Sequence, residues 1–207
     1  MKLESPVLTG SHVRLEPLER RHVEGLITAA GHDRAFYAWS AVPQGRFEVT
    51  QYVDAALAAR EAGTAVPFAT VRLSDGQIIG TTRFFLIERW PWPDDHPNAK
   101  RTEPDTCEIG YTWLTAGAIR TAANTEAKLL MLTYAFEGWQ AHSVCFNTDA
   151  RNERSRNALK RMGAQFEGIL RAHRLATDLG PRDSARYSIV AGEWPAVKRE
   201  LRRGLER

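Results

Sequence analysis

Two polar side chains continue an otherwise apolar helical stripe. Ala158, Leu159 and Met162 recur at helical spacing within residues 152–162, and the stripe carried back three residues at a time meets Ser155 and then Asn152. The free backbone N–H groups of a helix start lie at that same end. Asn152 is there either as an N-cap or, with Ser155, as a side chain looking into a ligand groove. A second such place is the polar turn Arg120-Thr121-Ala122-Ala123-Asn124-Thr125, which leads from an alternating run into a helical one. Unpaired N–H groups at such a junction suit an anion. Other chemistries lack their residues. His12, His22, His32, His96, His142 and His173 are scattered singly, Cys107 and Cys145 lack metal-ligand spacing, and no Gly-x-Ser-x-Gly elbow occurs.

Four elements must position these residues. The alternation of aromatic and β-branched residues over 108–114 predicts a strand, and 126–136 reads as a helix. Residues 144–148 read as a second strand, and 152–162 as a helix stopped by Gly163. Strand, turn, helix, strand, helix is an α/β unit with a crevice at its strand ends. Upstream, a strand over 13–15, a helix over 19–30, a loop over 31–47 and a helix over 51–61 are expected. A hairpin then pairs 68–73 with 78–86 around Asp75-Gly76. Residues 88–106 form a long irregular stretch, a length that marks functional or disordered loops. Strands over 166–170 and 186–190 and a helix from Trp194 complete the chain. The fold expected is one mixed, mostly antiparallel α/β (α+β) sheet flanked by helices, a single domain over 1–207 with its core at about 8–197.

Composition is that of a water-soluble globular protein, 43% hydrophobic and 26% charged over 207 residues, with net charge +3. Basic residues cluster over 151–161 and 198–207, runs that usually form solvated faces; with no stacking aromatics interleaved, nucleic acid is not the expected partner. Two cysteines in apolar strands, and no secretory or membrane-spanning segment, point to a reducing cytoplasm.

The run Asp149-Ala150-Arg151-Asn152-Glu153-Arg154-Ser155-Arg156-Asn157-Ala158-Leu159, ending in Met162-Gly163-Ala164, resembles the second cofactor motif of the GNAT superfamily of acetyl-CoA-dependent N-acetyltransferases. More narrowly it resembles the branch of the ribosomal-protein N-terminal acetyltransferases RimJ and RimL. Glu108-Ile109-Gly110-Tyr111, the run 124–130, the run 10–18 near the start, and Tyr187-Ser188 with Glu193-Trp194-Pro195 match that branch too. The resemblance covers residues 8 to 197.

What it implies is acetyl transfer from acetyl-CoA, without a metal, to a small-molecule amine or a protein N-terminus, by direct attack in a ternary complex. Trp113 and Leu114 would pair with the pantetheine arm through their backbone, and Asn152 would hydrogen-bond it. Arg120, Thr121, Ala122, Ala123, Asn124 and Thr125 would hold the pyrophosphate. Ser155 would protonate the leaving thiolate, and Glu108, set among apolar neighbours, would act as base directly or through water, or else is a surface glutamate of its strand. In one respect the chain departs from the family's pyrophosphate loop: Ala123 and Thr125 stand at its two small-residue positions, the first of them glycine. That departure keeps a catalytically silent acyl-CoA sensor as the alternative. On the acceptor side, Trp39 is either a substrate contact or part of a local aromatic core. Trp90 and Trp92 would meet the acceptor, with Asp94, Asp95 and Glu103 attracting a cationic amine, or else would pack on the domain's own surface or in a homodimer.

Overall fold

The computed structural model of the chain describes residues 3–31 and 34–206. Its strands are β1 (Leu8–Thr9), β2 (Val13–Pro17), β3 (Ala65–Arg72), β4 (Ile78–Glu88), β5 (Thr106–Leu114), β6 (Ser143–Asp149), β7 (Gln165–Leu175) and β8 (Pro181–Val190). Its helices are α1 (Val23–Ala30), α2 (Gly45–Glu61), α3 (Ala122–Thr133), α4 (Glu153–Arg161) and α5 (Trp194–Leu205). All strands join one sheet in the order β1-β2-β3-β4-β5-β6-β8-β7. Each neighbouring pair is antiparallel except β5 with β6.

The sheet separates two apolar clusters. On one face Leu26 and Ala30 of α1 and Val49, Val53 and Ala56 of α2 meet Leu18, Ala69 and Trp113. On the other, Met131 and Leu132 of α3, Leu159 of α4 and Val197 and Leu201 of α5 meet Phe84, Ile109 and Val144. Burying a side chain of this size contributes about 1.5–3 kcal/mol. β3 is covered on both faces and buried from Ala65 through Val71, hence its nearly unbroken apolar run.

Several boundaries differ from those read in the sequence. Arg20–His22 is a single 3-10 turn, closed by reciprocal Glu19 and His22 capping bonds, and α1 starts only after it. Within the expected loop over 31–47, α2 already begins at Gly45, where Glu48 Oε2 accepts the Gln44 N–H at 2.8 Å. β7 and β8 are longer than expected because register shifts at Phe166/Gly168 and Leu170/Arg174 break the alternation that would have marked β7. α3 begins at Ala122, so half of the expected turn belongs to the helix. Where β4 meets the end of β5, Gly80 has φ +153, and a Cβ there would lie 2.0 Å from the Trp113 carbonyl oxygen, so glycine is required.

Candidate active site

β5 and β6 are paired only at Thr106↔Ser143, Cys107↔Val144 and Glu108↔Cys145. Beyond Glu108 they part. The cause lies in β5. Its register against β4 moves from Arg83↔Gly110 to Thr81↔Trp113, which sets Tyr111 and Thr112 together against Thr82. Tyr111 takes φ 50 to make this bulge, and a bulge bends its strand. The result is a V-shaped opening between two parallel strands, each offering an unpaired backbone edge. α3 follows the open end of β5 and α4 the open end of β6, so both helix N-termini stand at the wide end of the V.

At the start of α4 the N-cap reading of Asn152 holds. Its Oδ1 accepts the Ser155 N–H at 3.0 Å and caps the helix. The residue is only 5% exposed, yet its Nδ2 donates to no described residue. Ser155 is half-buried beside it. Asn152→Ala is therefore expected to cost about 1 kcal/mol of stability, the worth of an N-cap. Asn152→Ser keeps a capping oxygen without the amide and is expected to restore stability but not coenzyme A affinity. Calorimetry and urea unfolding of both variants check this; equal affinity in all three proteins rules the amide out as a ligand contact.

At the start of α3, Thr121 Oγ1 donates to the Ala118 carbonyl at 2.8 Å and accepts the Ala123 N–H at 3.2 Å. The two small-residue positions of the expected loop, Ala123 and Thr125, lie inside α3, where an ordinary helical backbone needs no glycine. The left-handed residue of the turn is Arg120, with φ 62. A cavity of about 340 Å³ lined by Ser11, His12, Arg72, Thr121 and Ala123 opens against this helix start. The loop of Ser11 and His12 is held there by Glu126, whose carboxylate accepts the N–H groups of Ser11, His12 and Val13 at 2.8, 2.7 and 2.7 Å.

In the narrow end of the V, Glu108 is 3% exposed. Its Oε2 accepts from Asn147 Nδ2 at 2.9 Å and from Arg174 Nη2 at 2.8 Å, and its Oε1 from Arg174 Nη1 at 3.3 Å. The expected apolar neighbours are thus replaced by an amide and a guanidinium. An apolar wall is nevertheless present, since the Phe85 ring lies over Gly110, where a Cβ would sit 2.8 Å from it. Asn147 Oδ1, beside Glu108, and Trp113 Nε1 are buried without a hydrogen-bond partner among the described residues.

Trp39 is 38% exposed and outside the aromatic core; Tyr37 takes that place, edge-on to Trp113 at 6.4 Å. Trp39 lies instead under the Arg151 guanidinium at 4.5 Å, and Arg151 pairs with Asp149 and with Asp178 of the β7–β8 turn. Thr177 Oγ1 of that turn donates to the Ala38 carbonyl, so the turn and the Trp39 segment are joined beside the start of α4. Trp90 and Trp92 follow the second of the two expectations and pack on the domain's own surface. Trp90 stacks on His142 and Trp92 on His96, and Asp105 accepts from Trp90 N at 2.7 Å and Trp92 Nε1 at 3.1 Å. Those bonds fold the 89–105 connection onto itself and onto the first residues of β5 and β6, away from the parting of the strands.

Sequence reading missed Asn147, Arg174, Glu126 and Lys128. The last two carry a signal in retrospect, being charged residues on the face that α3 buries. Lys128 Nζ donates to Thr112 Oγ1 at 2.6 Å and Thr82 Oγ1 at 3.1 Å, beside the Tyr111 bulge. Burial lowers its pKa to about 7. The unfolded chain keeps this proton up to the ordinary lysine range while the folded protein releases it near 7. Between those values the unfolded state binds more protons, so this group's contribution to stability rises with pH. Lys128→Met is expected to flatten that rise in unfolding measurements from pH 7 to 10, and an unchanged slope contradicts it.

A strand bulge, a parting parallel pair and two helix N-termini at its mouth form one cleft, and the comparisons with known proteins give the class of protein that carries it. The family model "Acetyltransferase (GNAT) domain" matches residues 12–165. The chain belongs to this family and is an acetyltransferase. A T. thermophilus protein to which acetyltransferase activity is ascribed shares 31% identity, with 99% of this chain and 100% of that one covered and a TM-score of 0.79. A GCN5-related N-acetyltransferase from Brucella melitensis shares 27%, over 99% of this chain and 87% of that one, with a TM-score of 0.84. Mycobacterium smegmatis RimJ, solved with CoA-disulfide, shares the fold at 19% identity, 97% and 95% coverage and a TM-score of 0.78. No curated protein sequence matches the chain. Among the described residues there is no group of three or more His, Cys, Asp or Glu placed to hold a metal ion, and no helix long and apolar enough to cross a membrane.

Proposed function

We infer that the protein transfers an acetyl group from acetyl-CoA to a primary amine by direct attack in a ternary complex. The observation that carries this is the buried Glu108 carboxylate at the point where β5 and β6 part, with the capped start of α4 above it. The residues fit the donor. The edge of β5 at Trp113 and Leu114, which no strand pairs on the β6 side, suits an amide-bearing arm added like a strand, the Asn152 amide stands at the start of α4 with a donor to spare, and the first N–H groups of α3 suit a pyrophosphate. The bound thioester supplies the acetyl group and a thiolate leaving group. Glu108, held by Arg174, accepts a proton from the incoming amine directly or through water. Ser155 donates its hydroxyl proton to the leaving sulfur. Holding both partners in one cleft contributes about 7 kcal/mol or more.

A silent sensor is less well supported than it was from sequence, because Ala123 and Thr125 are ordinary helix residues. Trp39 serves as a rim contact for the acceptor, a small-molecule amine or a protein N-terminus. A cytoplasmic setting suits the free Cys107 and Cys145. Release of free thiol from acetyl-CoA with a panel of amines tests the reading. Ser155→Ala is expected to lower kcat with little change in acetyl-CoA affinity. Coenzyme A binding with no thiol release for any amine sinks catalysis and leaves the sensor.

A further inference from the structure

α1 and α2 lie over β3 and β4, and the same face of the sheet continues past them onto β5, β6, β8 and β7. Its charges do not balance. Glu108 is matched by Arg174, Asp149 by Arg151 and Glu167 by Arg186. Two arginines are left over. Arg83 is 7% exposed and lies between the rings of Tyr52 and Tyr111, at 5.0 and 4.0 Å, with no hydrogen bond or ion pair to a described residue. Arg182 Nε donates to Ser184 Oγ at 3.0 Å, while its Nη2 is buried with no hydrogen-bond partner among the described residues. Burial, and then the charge of Arg174, pull the Arg182 guanidinium below its usual range, against the opposing charges of Asp149 and Glu108. Tyr111 joins the two, stacked on Arg83 and within electrostatic reach of Arg182. The bulge sets it just past Glu108.

We propose that the acceptor is an amine that also bears a carboxylate, which Arg182 and Arg83 hold while the amine faces Glu108. A guanidinium with free N–H groups matches a carboxylate in a planar, two-bond contact, and a buried one without a partner gains most from it. Glu108 bonds Arg174 and Asn147, and no carboxylate of a described residue bonds Arg83 or Arg182. The acidic residues expected from sequence to attract a cationic amine, Asp94, Asp95 and Glu103, belong to the connection folded at the opposite end of β5. This inference rests on the acetyl-transfer reading and narrows its acceptor.

The test uses matched sets: free L-amino acids, their amides and the corresponding decarboxylated amines, with dipeptide amides carrying Asp or Glu second to stand for acidic protein N-termini. Thiol release is expected to favour the carboxylate-bearing members by about tenfold or more in kcat/KM. Free amino acids leading identifies a small-molecule acceptor, and acidic dipeptide amides leading a protein N-terminus. In Arg182→Gln the acid-to-amide ratio should fall towards one, with Arg182→Lys between. Calorimetry of the wild-type protein with N-acetyl amino acids and their amides reads the same preference without a variant or turnover. Amides and neutral amines used as well as acids, or N-acetyl amides bound as tightly as the acids, overturn the proposal and leave acetyl transfer standing. If no amine releases thiol, acetyl transfer fails, and the binding comparison alone decides whether the arginines hold a carboxylate.

Discussion

Glu108→Gln is expected to lower kcat by about 100-fold or more, the usual worth of a positioned general base. The substitution is close to isosteric. Glutamine's Oε1 can still accept from Arg174 and Asn147, so the narrow end of the V should keep its shape, and unfolding measurements are expected to show little change. What disappears is the capacity to take a proton. Loss of turnover should therefore come with a flattened acidic limb in the pH–rate profile, whereas a purely structural Glu108 would move stability and leave the limb in place. Arg174→Gln is the informative partner. It leaves the buried carboxylate without its counter-charge, and so should disturb both stability and the pH profile. Wild-type turnover in Glu108→Gln would show that catalysis here is positioning alone.

The sequence made the α/β unit legible because its two helices and two strands carry strong periodicity. Asn152 and Ser155 stood out as the polar end of an apolar stripe. Less could be read where an element's regularity is broken by the feature that matters. The bulge at Tyr111 occupies a run whose alternation looks like that of an ordinary strand, so the parting of β5 from β6 left no mark. β7 loses its alternation at its own register shifts, which concealed Arg174 at its far end. Asn147 sits on β6 with nothing in its neighbours to separate it from other polar strand residues. Its importance comes from the Glu108 carboxylate across the V, a contact between residues far apart in the chain. The 88–106 stretch was long enough to suggest function, but its length is taken up by its own Asp105-centred bonding. Charge depends on contacts between distant residues in the same way. Counting acids in that stretch suggested a site for cations, whereas pairing the charges of the open sheet face in three dimensions leaves two arginines over.

Glu126→Ala is expected to destabilise the protein by about 3 kcal/mol or more, since one carboxylate accepts three backbone N–H groups and bonds to a charged partner contribute about 1.5–3 kcal/mol each. In a chain of this length that lowers Tm by about 6–12 °C. The Val13 N–H is buried, so alanine leaves it unpaired, and a cavity is added to the lost bonds. Gly10 belongs to the same device. A Cβ there would lie 2.3 Å from Glu126 Cδ, so the glycine lets the carboxylate reach the loop, and Gly10→Ala should destabilise in the same direction. Glu126→Gln keeps one acceptor and should fall between. The effect should also reach the cleft, because Glu126 ties the Ser11–His12 loop to the start of α3, where Thr121 and Ala122 would meet the pyrophosphate. Coenzyme A affinity is therefore expected to fall together with stability along the series Gln, then Ala. An alanine variant within about 0.5 kcal/mol of wild type, the range of ordinary surface changes, would mean that water replaces the carboxylate at all three N–H groups.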